Sequence, residues 1–344
     1  MHESRPTIVA GSGRCGSTAL SDALSSHPQT LVLSELFSSL QPFAFGAAPI
    51  DAARFAAILG TPRPESALLH RHRVEPSEYL YPVDAGGRFD RATGVPPLAL
   101  TTLPHLTASI DGAFDEIIGD LRGRSGEAAP HVHVRALFDA LAERFGGTHR
   151  IERSGASMAY LDRLLDLLPD ARVVHIHRRG PDVAWSMSRH SIFRLTYLVH
   201  RGAPLCGRDP QVPPPSVGVL HDIVSAALGE PFSADAFWRH PIPPTWFAAV
   251  WAVSVRAGLR RLRQHDPDLV THVRYDDLVI DPAGTLDRVR SAIGLDPNDL
   301  WLEGAARRFL DRTPTAACPP DIATALDARC AGTSLLLGDF ERVG

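Results

Sequence analysis

Apolar and polar positions follow two rhythms along this chain. Three short apolar runs rich in β-branched residues, Thr7–Ala10, Arg172–His177 and Leu269–Arg274, read as strands buried on both faces. Leu31–Leu33 and His149–Ile151 add two shorter runs of the same kind. Between them, apolar residues recur at helical spacing in Ser17–Ser26, Val134–Arg144, Ala156–Leu168 and Trp246–Arg263. Strands alternating with helices predict an α/β fold of three layers, a central parallel sheet with helices on both faces.

Two stretches break the rhythm. Residues 41–130 are interrupted by Pro62, Pro64, Pro76, Pro82, Pro96, Pro97 and Pro104, and residues 203–244 contain Pro213-Pro214-Pro215. Both keep an ordinary apolar content, so they read as insertions or lids over the ligand end of the sheet, not as linkers. The whole chain, 1–344, is therefore expected to be one domain.

Composition narrows the function by exclusion. A net charge of −4 gives no general reason to expect nucleic acid or anionic lipid as a partner, so any anion must be held by a local site. No signal peptide is visible and no apolar run approaches the ~20 residues of a membrane span, so a soluble cytoplasmic protein is the expectation. Cys15, Cys206, Cys318 and Cys330 are scattered with no C-x-x-C pair, which argues against a zinc site or a disulfide framework.

The first strand runs into Gly11-Ser12-Gly13-Arg14-Cys15-Gly16-Ser17-Thr18 and then a helical pattern. Strand, Gly-rich turn and helix form the layout of a phosphate-binding loop, in which backbone N–H groups and a helix N-terminus face an anion. In the G-x-x-x-x-G-K-[ST] register Gly11, Gly16 and Thr18 fit, but Ser17 stands at the Lys position. The cation sits at Arg14, inside the loop. Cys15 reads as a small loop filler, with a reactive thiol as the other reading.

A second strand–turn–helix follows at Ala171–Ser186. Pro181 suits a first helical turn, and Asp182 suits the positive end of that helix. Arg178 and Arg179 leave the C-terminal end of the strand, the edge at which open parallel sheets bind ligands. Ser186 lies about two turns along the helix, where it can face the same space. By itself this segment is equally compatible with an ordinary helix start and solvated arginines.

Together the two segments resemble the sulfotransferases that use 3′-phosphoadenosine 5′-phosphosulfate. That family's loop of the form [KR]-S-G-[ST]-[ST], which binds the 5′-phosphosulfate, is matched by Arg14-Cys15-Gly16-Ser17-Thr18, with Cys15 for the commoner Ser. Its R-x7-S segment, which binds the 3′-phosphate, is matched by Arg178 and Ser186, with Arg179-Gly180 where Asn/Asp-Pro is usual. Glu152-Arg153-Ser154 resembles an upstream E-K-[ST]-P segment. Leu168–Arg172 resembles the lead-in to the second strand–turn–helix, and Val273–Pro282 the late RYEDLxxDP strand and turn. The likeness spans most strands and helices but neither insertion, and is nearer to bacterial and Golgi-type members than to cytosolic phenol or steroid enzymes.

The resemblance implies a P-loop-like fold with 3′-phosphoadenosine 5′-phosphosulfate as co-substrate. It also implies an acceptor pocket under the insertions and a small-molecule, lipid or carbohydrate hydroxyl as acceptor. No triphosphate and no metal is then expected, which accounts for the missing Lys. Arg14 would stabilise the leaving phosphate, while the N–H groups of Cys15, Gly16, Ser17 and Thr18 cradle it. Arg153 would reach the sulfuryl group or the acceptor. Glu35, just past the second strand in Leu31-Val32-Leu33-Ser34-Glu35-Leu36-Phe37, is the expected general base, since a carboxylate among apolar neighbours is suited to take a proton near neutral pH. A histidine is the competing base, with His70, His72 and His105 in the first insertion.

Two other functional classes stay open. A P-loop kinase, or a nucleotide-binding protein without sulfotransferase activity, shares the loop but predicts Lys at position 17. An NAD enzyme fits Gly11-Ser12-Gly13-Arg14-Cys15-Gly16 as G-x-G-x-x-G, but leaves Arg178 and Ser186 without a purpose.

Overall fold

The computed structural model describes residues 5–40, 46, 48–310 and 318–343, with side chains described as far as 338. Phe43 and Phe45, part of the apolar content of the first insertion, lie outside the described residues. The strands in chain order are β1 (Thr7–Ala10), β2 (Thr30–Ser34), β3 (Ile50–Asp51), β4 (Glu127–Ala128), β5 (His149–Arg153), β6 (Arg172–His177) and β7 (Val270–Arg274). β1, β2, β5, β6 and β7 form one parallel sheet in the order β2-β5-β1-β6-β7, while β3 and β4 pair separately and antiparallel.

β1 is buried along its whole length, as a central parallel strand covered on both faces must be. The chain winds to one side of β1 for β2 and β5 and to the other for β6 and β7. A crevice therefore opens at the C-terminal end of β1, where the Gly-rich loop leaves the sheet. Register does the rest. Ser34 of β2 lies opposite Arg153 of β5, and Ala10 of β1 opposite His175 of β6, so the residues that follow each strand meet at one edge.

The proline-rich stretches are more regular than their sequence suggests. Residues 41–130 hold helices Ala52–Gly60, Pro64–Arg71 and Ile110–Gly123, and residues 203–244 hold Val217–Leu228 and Ala234–Arg239. The reason is positional: Pro64 opens its helix, where a missing N–H costs nothing. Leu68, Leu69 and Val74 of the first stretch pack with Leu220, Val224, Phe232 and Phe237 of the second and with Leu195 and Leu198 of helix Ser191–Leu205. The two stretches thus share a small apolar cluster beside the main core. The helical expectation for Ala156–Leu168 is broken in two. Ala156 adopts φ +56, a short 3-10 turn follows at Ser157–Ala159, and the helix proper is Leu161–Leu167.

Arg179-Gly180, the departure from the resembling pattern, has a packing cause. Helix Gly180–Met187 starts against Trp251, and a Cβ on Gly180 would lie 2.6 Å from the Trp251 ring and 2.9 Å from Cys330 Sγ. Only glycine fits that approach.

Candidate active site

The loop between β1 and helix Ser17–Ser25 turns through three left-handed residues, Gly13 (φ +78), Arg14 (φ +55) and Gly16 (φ +97). Ser157 holds its base by accepting from Gly11 N at 3.0 Å, and Met158 N donates to Gly11 O at 3.1 Å. Gly16 caps the helix with no side-chain hydrogen bond, and no acidic residue stands in the first turn, so that helix end keeps its N–H groups for an anion. Cys15 is fully buried beneath the loop, and burial pushes its thiol up from the ordinary range. This corrects the reactive-thiol reading: Cys15 is a filler, packed where a side chain on Gly11 would collide with its sulfur.

Gly16 also faces Tyr275, the residue after β7, and a Cβ there would run into the aromatic ring. Gly16→Ala combines that collision with a positive φ that alanine adopts at a cost of ~1 kcal/mol or more. The expected result is destabilisation of about 2–4 kcal/mol, read as a lower thermal midpoint. An unchanged midpoint would show that the loop relaxes freely.

The two anion motifs meet. Arg14 Nε donates to Ser186 Oγ at 3.1 Å across 172 residues of sequence. Arg178 stacks on Tyr275, its guanidinium carbon 4.9 Å from the ring centroid. Arg179 instead turns away to Asp327 at 3.1 Å. A cavity of about 830 Å³ is lined by Arg14, Gly16, Ser17, Thr18, Arg178 and Ser186, and on another part of its wall by Glu35.

Glu35 sits at the end of β2 with φ +56, a turn that brings its carboxylate back over β5. Its N–H donates to Arg153 O at 2.7 Å. Oε1 pairs with Arg153, while Oε2 accepts from Gly155 N at 2.8 Å and from Ser38 Oγ. The expectation of apolar surroundings for this carboxylate is therefore corrected, because polar donors converge on both of its oxygens. Arg153 is almost completely buried behind Glu35 and does not line the cavity, so its charge acts through Glu35.

Behind this pair lies Glu152, fully buried, with Ser154 Oγ donating to it. Burial pushes its carboxyl up to about 8 from an ordinary 4.5, with the Glu35 charge adding to the rise. The folded state therefore holds a proton that the unfolded chain releases above pH 4.5. This group subtracts from stability progressively as pH rises from 4.5 towards 8. Glu152→Gln, neutral at every pH, is expected to stabilise the fold by on the order of 2–3 kcal/mol at pH 7, with the gain vanishing at acid pH. Thermal unfolding across this range checks it, and a lower midpoint at pH 7 would contradict it.

Sequence reasoning missed Glu78 and His190. Glu78 reaches from the first insertion to Arg14 Nη1 at 3.2 Å and to His190 Nε2 at 3.3 Å. Burial alone would raise its carboxyl, but the hydrogen bond and charge of His190, with Arg14, outweigh burial and hold it down at about 2. His190 lies beyond the helix of Ser186, at the residue before helix Ser191–Leu205, so no helical spacing marks it. Nothing local marks Glu78. Of the histidines considered from sequence, His70, His72 and His105 do not line the cavity, and His70 is buried against Tyr79. Among the described residues, no helix is long and apolar enough to cross a membrane.

No family model matches the chain, and no curated protein matches it. Solved structures do. A sulfotransferase from Alicyclobacillus acidocaldarius is 15% identical, with 96% of this chain and 92% of that one covered at a TM-score of 0.43. The sulfotransferase domain from the curacin biosynthetic pathway is 16% identical, with 93% and 82% covered at 0.45. Sulfotransferase STF9 from Mycobacterium avium is 17% identical, with 96% and 76% covered at 0.45.

Proposed function

We propose that the protein transfers a sulfuryl group from 3′-phosphoadenosine 5′-phosphosulfate to the hydroxyl of a small organic acceptor. The observation that carries this reading is the Arg14–Ser186 contact, which joins the two anion motifs on one cavity shared with Glu35. One anion would need only one of these motifs. A donor with a 5′-phosphosulfate and a separate 3′-phosphate uses both.

In this reading the N–H groups of Cys15 to Thr18 and the hydroxyls of Ser17 and Thr18 hold the 5′-phosphate. Arg178 and Ser186 hold the 3′-phosphate. The acceptor oxygen attacks sulfur in line as the bond from sulfur to the bridging oxygen breaks. Glu35 takes the hydroxyl proton, and Arg14 bonds the bridging oxygen as negative charge grows there. Arg153 is a positioning residue for Glu35. The donor phosphate replaces Glu78 as the anion on Arg14, so Glu78 competes with the donor for that guanidinium.

Adenosine 3′,5′-bisphosphate provides the test. At a hundredfold excess over its Kd it is expected to raise the thermal midpoint by about 3–5 °C without magnesium. A magnesium-dependent response to ATP, with none to the bisphosphate, would replace this reading by the kinase one.

A further inference from the structure

Arg63 is a cation that the proposed transfer does not use. It stands immediately before helix Pro64–Arg71, in the first insertion, and lines the same cavity as Arg14 and Glu35. Its Nε and Nη2 are buried without a hydrogen-bond partner, and no hydrogen bond or ion pair reaches its guanidinium among the described residues. Glu65, two residues on, lines the same wall and acts on Arg63 through its field. Arg14 is held by Glu78 and Ser186, Glu78 by His190, and Glu35 by Arg153, while Arg178 stacks on Tyr275.

Leaving a guanidinium half-buried with no anion hydrogen-bonded or ion-paired to it is costly. Burial works against its charged form, the field of Glu65 two residues on works the other way, and Arg54 adds to the cost. An unmatched buried polar group on a cavity wall points to something the cavity receives. Much of the remaining wall is apolar, including Tyr79, Ile192, Phe193, Leu195, Val199 and Val250.

We infer that Arg63 is the anion-binding end of the acceptor pocket. The acceptor is an amphiphile whose hydroxyl meets Glu35, whose body lies on the apolar wall, and whose other end carries an oxyanion, a carboxylate or a phosphate monoester. The planar fork of a guanidinium suits either anion. This inference rests on the sulfuryl-transfer reading of the same cavity.

Calorimetry separates the two. The first arm titrates adenosine 3′,5′-bisphosphate into the wild type and into Arg63→Met. If the wild type does not bind it, the sulfotransferase reading fails, and Arg63 is then examined in the protein without nucleotide. The second arm titrates ω-hydroxydodecanoate, ω-hydroxydodecyl phosphate and dodecanediol into bisphosphate-saturated protein, whose phosphate sites are blocked. At least one anion is expected to bind about tenfold more tightly than the diol, and the better one identifies the group.

Arg63→Met is expected to bring that anion to the level of the diol while leaving bisphosphate affinity in place and the thermal midpoint unchanged or raised. Arg63→Lys, which keeps the charge, is expected to retain most of the preference. The inference is overturned if the diol binds as well as both anions, if no probe binds, or if Arg63→Met keeps the preference. A drop of several degrees in the midpoint of Arg63→Met also overturns it, because the guanidinium would then be structural.

Discussion

Arg14→Ala is expected to cut turnover about 10²–10³-fold while leaving the fold intact. Removing a donor aimed at developing negative charge costs ~3–4 kcal/mol of transition-state stabilisation. The structural contribution of the same side chain is much smaller. Arg14 is 35% exposed, and its ion pair with Glu78 at 3.2 Å is of the part-solvated kind worth ~0–1 kcal/mol. Glu78 keeps His190 when the arginine is gone. Activity and stability therefore separate, and steady-state kinetics beside a thermal melt reads both. Arg14→Lys should fall between, because it keeps the charge but loses the fork. Turnover within tenfold of wild type in the alanine variant would remove Arg14 from the chemistry.

Glu35→Gln is expected to lower turnover by about 10²–10⁴-fold, the contribution of a general base. Here the two effects do not separate so cleanly. Arg153 is 1% exposed and relies on Glu35 for its counter-charge, so the neutral amide leaves a buried cation unpaired at a cost of up to ~3–5 kcal/mol. Glutamine still offers one oxygen and fits the same volume, which limits that loss. Kinetics must therefore be run well below the midpoint of the variant, with folded protein confirmed by circular dichroism. A loss below tenfold in folded protein would be too small for a lone base.

Legibility from sequence followed physical locality. β1 and β6 were readable because parallel strands buried on both faces must be largely apolar runs. β7 was readable from its β-branched residues, but it is an edge strand and only Val273 in it is buried, so the expectation of burial on both faces fails there. β2 and β5 showed only in part: the apolar runs Leu31–Leu33 and His149–Ile151 stop short of polar Thr30 and Ser34 in β2 and of charged Glu152 and Arg153 in β5. Helix Ser191–Leu205 and the helices from Pro282 onward were not called from the pattern. Helix Pro64–Arg71 in the first insertion was hidden because proline reads as an interruption, although at the first helical turn it marks a start.

The chain by itself determined the alternating α/β pattern and the two local anion motifs. It also put Arg14, Ser17, Thr18, Glu35, Arg178 and Ser186 on the page as candidates, because each follows a strand or sits within two turns of a helix start. A strand end and a helix start are local events, set by neighbours in sequence. Only the tertiary structure decided what lies between those groups. Strand register put Glu35 beside Arg153 and turned a presumed contact residue into a buried partner. The packing of the two insertions on one another brought Glu78 and Arg63 to the cavity wall. Those placements depend on contacts between segments tens of residues apart in sequence, and no periodicity or spacing within either segment encodes them.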